Sequence, residues 1–156
     1  MAIVRDPNFV PFARLNDPDD HRIDSEMAFV FDPSETDGNR VEGLTCIFER
    51  IGVGERIPLH SHPTTDEIII VDEGLGEVTL GEESSTVEKG AVIFIPAGTV
   101  HGMRNAGCTD FRMHGVFPNP HVSVQMIERN PAPGTEGNEP QPPYTVDLRQ
   151  GWTSPH

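Results

Sequence analysis

Residues 54–74 read GERIPLHSHPTTDEIIIVDEG, and residues 90–105 read GAVIFIPAGTVHGMRN. His60 and His62 stand two residues apart, so an extended strand places both imidazoles on one face. A carboxylate follows at Glu67 after a short polar turn, and a third imidazole stands at His101 on a later strand. Three imidazoles and a carboxylate form a mixed nitrogen and oxygen set, which suits a divalent transition metal better than calcium or magnesium. The rest of the chain reads as the container for that set.

Outward from these stretches, short apolar runs alternate with turn formers. Strands are expected over 27–31, 44–51, 56–62, 67–71, 77–80, 85–87, 92–95, 111–117 and 121–127. Gly81-Glu82-Glu83 marks a hairpin tip, and Pro96-Ala97-Gly98 turns the chain toward His101. No segment holds a helical period over three turns. Regularly spaced short strands punctuated by Gly and Pro predict an all-β sandwich or barrel. Residues 1–40 are expected to be an irregular N-terminal arm, anchored by Phe9, Val10 and Phe12, with a first strand. Residues 41–129 are expected to be the barrel and residues 130–156 a Pro-rich C-terminal tail, since 130–143 alone holds five Pro. Tyr144–Leu148 and Trp152 are placed to pack back on the body.

At 156 residues the chain is one domain by length, with room for a real core. Asp and Glu number 25 against 11 Lys and Arg, a formal charge of -14 that repels phosphate backbones and anionic lipid surfaces. Neither nucleic acid nor membrane is an expected partner. The first residues carry no basic region followed by an apolar stretch, and no run has the length of a membrane span. Cys46 and Cys108 stand alone, which reads as free buried thiols in a reducing compartment. The expected location is the cytoplasm.

Two strands, Glu67–Val71 and Val92–Ile95, are apolar on both faces. A barrel strand with one face in water alternates, so something must cover the outside. A homodimer is the expected cover, with the arm or a sheet edge as the alternatives.

The ten specified positions resemble the two motifs of the cupin family. The first, G-x5-H-x-H-x4-E-x6-G, is matched by Gly54, His60, His62, Glu67 and Gly74. The second, G-x5-P-x-G-x2-H-x3-N, is matched by Gly90, Pro96, Gly98, His101 and Asn105, after a spacer of fifteen residues. The resemblance implies a small double-stranded β-helix, or jelly roll, holding one divalent metal per chain on His60, His62, Glu67 and His101.

The carboxylate pulls the expected metal toward Mn or Fe, with Ni or Zn also compatible. Four protein ligands on a six-coordinate ion leave two positions for a substrate, whereas a structural zinc site would be closed and would usually carry cysteine. Arg56 shares the expected inward parity of His60 and His62 and could meet an anionic group, or form a rim salt bridge. Ile69 and Val71 would line a partly hydrophobic pocket. His114 could turn inward as an acid or base, or lie at the surface or a dimer contact. The expected function is therefore a mononuclear metal-dependent enzyme acting on a small oxygenated organic molecule. A dioxygenase-type oxidoreductase leads, because the cupin resemblance includes many dioxygenases. A non-redox isomerase, decarboxylase or lyase is the second reading, and a non-catalytic binding barrel the third.

Overall fold

The computed structural model describes residues 14, 15, 17–29 and 42–152. The expected anchors Phe9, Val10 and Phe12 and the end of the first strand at Phe31 lie outside the described residues. Eleven strands follow one another: β1 Glu26–Phe29, β2 Thr45–Ile51, β3 Arg56–Ser61, β4 Glu67–Glu73, β5 Leu75–Leu80, β6 Glu83–Glu88, β7 Val92–Ile95, β8 His101–Asn105, β9 Phe111–Phe117, β10 His121–Met126 and β11 Tyr144–Asp147. They form a five-stranded sheet in the order β1-β2-β9-β4-β7 and a six-stranded sheet in the order β11-β10-β3-β8-β5-β6. Every pairing is antiparallel. This is the jelly-roll arrangement expected of the sequence.

The alternation that makes these strands is clearest in β2 and β9, where buried and partly exposed residues strictly alternate. Their inward rows meet in register: Ile47 lies opposite Gly115, which lies opposite Ile69 of β4, and Glu49 lies opposite Met113, which lies opposite Val71. The inward residues divide into two apolar clusters. One is built on Ile51, Val71, Ile95 and Phe111, the other on Phe117, Val122, Val124 and Leu148.

Both chain ends of the described region join the second cluster. Tyr144 and Val146 of β11 are buried in it, and Leu15 and Trp152 pack against it. Residues 17–22 are strapped to the body at Asn130: His21 N donates to the Asn130 carbonyl, and Asn130 N to that of Asp19, both at 2.7 Å. Asp19 also pairs with Arg129 at 2.5 Å. Residues 17–22 are thus fixed over one end of the barrel.

The cysteines depart from expectation: both are free, but Cys46 is only half-buried and Cys108 is exposed. Cys46 sits on the outward row of β2, and Cys108 follows the end of β8, so neither contributes to the core. No helix among the described residues is long and apolar enough to cross a membrane.

Candidate metal centre

β3 and β8 are neighbours in the six-stranded sheet, and His60 lies directly opposite His101. That pairing brings their ring centroids to 4.2 Å. His62, just past the end of β3, lies 5.0 Å from His60 and 5.2 Å from His101. Glu67 opens β4 in the facing sheet, so the four side chains converge between the two layers. All four are buried. Gly115 makes the approach possible, because a Cβ there would stand 2.7 Å from Glu67 Oε1.

The backbone fixes the imidazole tautomers. Nδ1 of His60, His62 and His101 lies 2.8 Å from the carbonyl oxygens of Pro58, Ser123 and Thr99 respectively. A carbonyl only accepts, so each Nδ1 carries the proton and each Nε2 presents a lone pair. One ring nitrogen from each histidine lies within 4.8 Å of the others. His101 Nε2 is buried with no hydrogen-bond partner among the described residues. Glu67 Oε2 stands 3.4 Å from Nε2 of both His62 and His101, beyond the usual N–H···O range of about 2.7–3.2 Å.

Burial pushes the His60 imidazole well below its ordinary value, and the neighbouring His101 and His62 push it further. Burial would raise Glu67, but His101 and His62 overcome it and hold the carboxyl down to about 2. A neutral imidazole and an ionised carboxylate are the forms that bind metal. An orphaned buried lone pair, three backbone-locked rings and a carboxylate at co-ligand distance therefore fit a divalent ion.

The set lies on the wall of a cavity between the two sheets. Most of its wall is apolar and comes from both core clusters: Ile69 and Met103 from one, Met27, Ile47, Phe117 and Val124 from the other. The remainder is polar and was not foreseen. Asp17, Asp20, Arg22, Glu49 and Tyr144 also line it. Asp17, Asp20 and Arg22 lie in a polar stretch that looks like solvated loop, while Glu49 carries a weak signal: a charge at an inward position of an alternating strand.

Of the four expected pocket residues, Ile69 lines the cavity and three do not. Arg56 faces outward and pairs with Glu128 at the surface. The inward parity expected for it fails because β3 carries an extra residue: Ile57 opposes Met103, yet His60 opposes His101. This bulge at Pro58–Leu59 reverses the facing of everything before it. Gly102 accommodates it, since a Cβ there would come within 2.9 Å of the Ile57 carbonyl oxygen. Val71 points inward but is enclosed in the first apolar cluster, one rung beyond Ile69. His114 lies on the outward row of β9, 3.0 Å from Asp72 and 6.1 Å from the Phe48 ring.

The cupin-domain family model matches residues 47–117. Protein SchB of Streptomyces halstedii is 35% identical over 102 residues, covering 59% of this chain and 74% of that protein. The chain belongs to the cupin superfamily. An uncharacterized protein of Methanocaldococcus jannaschii, MJ1618, is 42% identical over 80 residues, 50% of this cupin and 64% of that chain. Matches of this kind span about half to two-thirds of the length of several curated relatives. Among solved structures, the polyketide cyclase RemF from Streptomyces resistomycificus superposes with a TM-score of 0.69 at 19% identity, over 86% of this chain and 92% of that one. At that identity the likeness is one of fold.

The cupin motif positions that are not ligands have structural work. Gly54, Gly74, Gly90 and Gly98 all hold φ between 80° and 91°. Gly74 is the tightest, because a Cβ would lie 2.5 Å from the Asp110 carbonyl oxygen. The two motifs are also latched together: Gly98 N donates to the His62 carbonyl at 2.8 Å, and Ala97 N to Asp66 Oδ1 at 2.8 Å. The turn that delivers His101 is thereby fixed to the one that follows His62.

Proposed function

We propose that this cupin is a mononuclear metal-dependent enzyme acting on a small, largely apolar, oxygenated organic molecule. The observation that carries the reading is the convergence of three Nδ1-protonated histidines and Glu67 on the wall of an apolar cavity. His60, His62, Glu67 and His101 would hold the ion, with Mn or Fe suited by the carboxylate and Ni or Zn compatible. When bound, the metal would supply Lewis-acid polarisation of a substrate oxygen or, as iron, access to dioxygen chemistry. The chain itself orients the ligands through the three backbone carbonyls, and the apolar wall excludes water from the bound molecule.

Between the two reaction classes, proton-transfer chemistry of the isomerase, lyase or cyclase kind is favoured. A buried carboxylate cluster lines the same cavity, and a group able to exchange protons is what such reactions need beside a Lewis acid. The fold shared with a protein named as a polyketide cyclase is compatible with that class. The dioxygenase reading is supported by the suitability of the same ligand set for Fe(II).

Elemental analysis of protein purified without added metal tests the centre. About one divalent transition metal per chain is expected, with a severe loss in His60→Ala and His101→Ala at retained β-sheet circular dichroism. Full metal content in either variant would remove this centre from consideration. Chelation should lower the melting temperature, because a metal bound only by the folded chain stabilises it. Substrate-dependent oxygen uptake with small diketones and phenols would select the dioxygenase class, and turnover without uptake the proton-transfer class.

We also propose that a second copy of the chain covers the outward apolar face of the five-stranded sheet, giving a homodimer.

A further inference from the structure

The strap over the barrel end contains a group of charges that its structural role does not account for. Arg22 pairs with Asp20 at 2.9 Å and with Glu49 at 2.6 Å, and all three are more than nine-tenths buried on the cavity wall. Elsewhere in the strap every carboxylate oxygen is used. Asp17 Oδ1 accepts from Asp19 N and from Gln141 Nε2, both at 2.8 Å, and Asp17 Oδ2 accepts from the Tyr144 hydroxyl. Asp19 is satisfied by Arg129 and by Gln141 N. By contrast, Asp20 Oδ1 and Arg22 Nε are buried with no hydrogen-bond partner among the described residues. A buried acceptor and a buried donor left unpaired side by side are costly unless something else pairs with them.

We propose that Asp20 and Arg22 form a second, hydrogen-bonding subsite of the cavity, which takes a hydroxyl, enol or carbonyl oxygen of a molecule whose other oxygens reach the histidine–glutamate set. This rests on the metal-dependent reading above and narrows its substrate class. The Arg22 Nε–H only donates, so it calls for an oxygen acceptor. Asp20 Oδ1 accepts from a hydroxyl when the carboxyl is ionised and can donate to a carbonyl when it is protonated. Both states are within reach near neutrality: burial drives the Asp20 carboxyl up to about 7, against Arg22 and with help from Glu49 and Asp17. Much of the remaining wall is apolar, with Met27, Ile47, Ile57, Met103, Phe117 and Met126 among its residues. The ligand is therefore an apolar body, aromatic or alicyclic, with oxygen functions at both ends.

The test uses the full chain reconstituted with one zinc per chain and isothermal titration with 2-hydroxyacetophenone, whose adjacent oxygens chelate. Its relatives with a second hydroxyl at each remaining ring position are titrated alongside. At least one dihydroxy isomer should bind wild type about tenfold more tightly than the parent, the size of a hydrogen bond to a charged group. Asp20→Asn, whose amide oxygen still accepts but carries no charge, should cut that gain, measured against the parent in the same variant, to about threefold or less. Equal affinity of wild type for the parent and every isomer would overturn the subsite, as would a gain undiminished in Asp20→Asn. The wild-type comparison needs no variant, and Arg22→Lys, which keeps the charge but removes the Nε donor, provides a second route if Asp20→Asn folds poorly. Failure of the parent itself to bind zinc-loaded wild type would overturn the chelation reading, and the subsite with it.

Discussion

Gly115 shows how a single absent methyl shapes the centre. It lies on β9 between Ile47 and Ile69, in a row where every other inward residue carries a side chain. Glu67 uses the space, so Gly115→Ala should displace the carboxylate, with Ile47 only 3.5 Å away on the other side. The expected outcome is a metal affinity reduced about 10- to 100-fold, the range seen when ligand support is disturbed, with the fold retained. Competition titration against a chromogenic chelator measures it. Asp20 makes a different prediction. Its folded carboxyl takes a proton up to about pH 7, whereas its ordinary value is 3.8, with Arg22, Glu49 and Asp17 as the charges around it. The folded chain therefore binds the extra proton between those limits. The stability from this group is fully present below about pH 4 and is lost as pH rises through 7. Relative to Asp20→Asn, wild type should lose up to about 1.4 kcal/mol per pH unit in that window. Urea denaturation of the two proteins at pH 4.5, 6 and 8 reads the difference, and a gap independent of pH would contradict it. The ligands were legible in the sequence because metal geometry imposes a spacing. Asp20 and Arg22 were not, because only burial distinguishes them from solvated charges.

At the level of the strand, the hydrophobic pattern carries most of the information. Val92–Ile95 forms where an apolar run between turns puts it and Phe111–Phe117 where alternation does, and the hairpin between β5 and β6 turns at Gly81, whose φ is 60°. What the pattern could not reveal is the bulge in β3, since a period of two is blind to one inserted residue. Arg56 was misdirected for that reason alone. The tail shows the same limit: Tyr144–Asp147 becomes an edge strand because β10 offers it a partner, a long-range fact. Asn105 closes the element-scale argument. Its side-chain amide donates to the carbonyls of Ile51 at 3.0 Å and Thr109 at 2.8 Å, while its Oδ1 accepts from Gly107 N at 2.9 Å. The motif asparagine thus ties the end of β8 to β2 and to the turn before β9, away from the chemistry. Asn105→Ala should cost about 2–4 kcal/mol, three hydrogen bonds with buried partners left behind, and leave metal stoichiometry unchanged. Denaturant unfolding and elemental analysis on the same sample check both halves.

For the whole molecule, the distribution of charge matters more than its sum. The chain carries a formal charge of -14, yet one part of the outward face of the five-stranded sheet is apolar, bordered by a charged rung of Glu26, Arg50, Arg112 and Glu73. Two rungs cross four strands there: Cys46, Val116, Ile68 and Phe94 in one, Phe48, His114, Ile70 and Val92 in the other. Val92 is 66% exposed, Phe94 58% and Ile68 39%. Asp72, held by His114, sits beside the rungs. Removing the apolar area of these two rungs from water would favour association with a second copy. These two apolar rungs are the surface that the proposed homodimer would cover. The metal centre opens between the sheets, so covering the outer face of one leaves it untouched. Phe94→Glu places a charge at the edge of the upper rung on β7, the outermost strand of that sheet. Wild type should run as a dimer in sedimentation velocity at tens of micromolar, and Phe94→Glu as a monomer with its metal content intact. A monomeric wild type would refute the dimer. A dimer that survives the substitution would move the contact to another face.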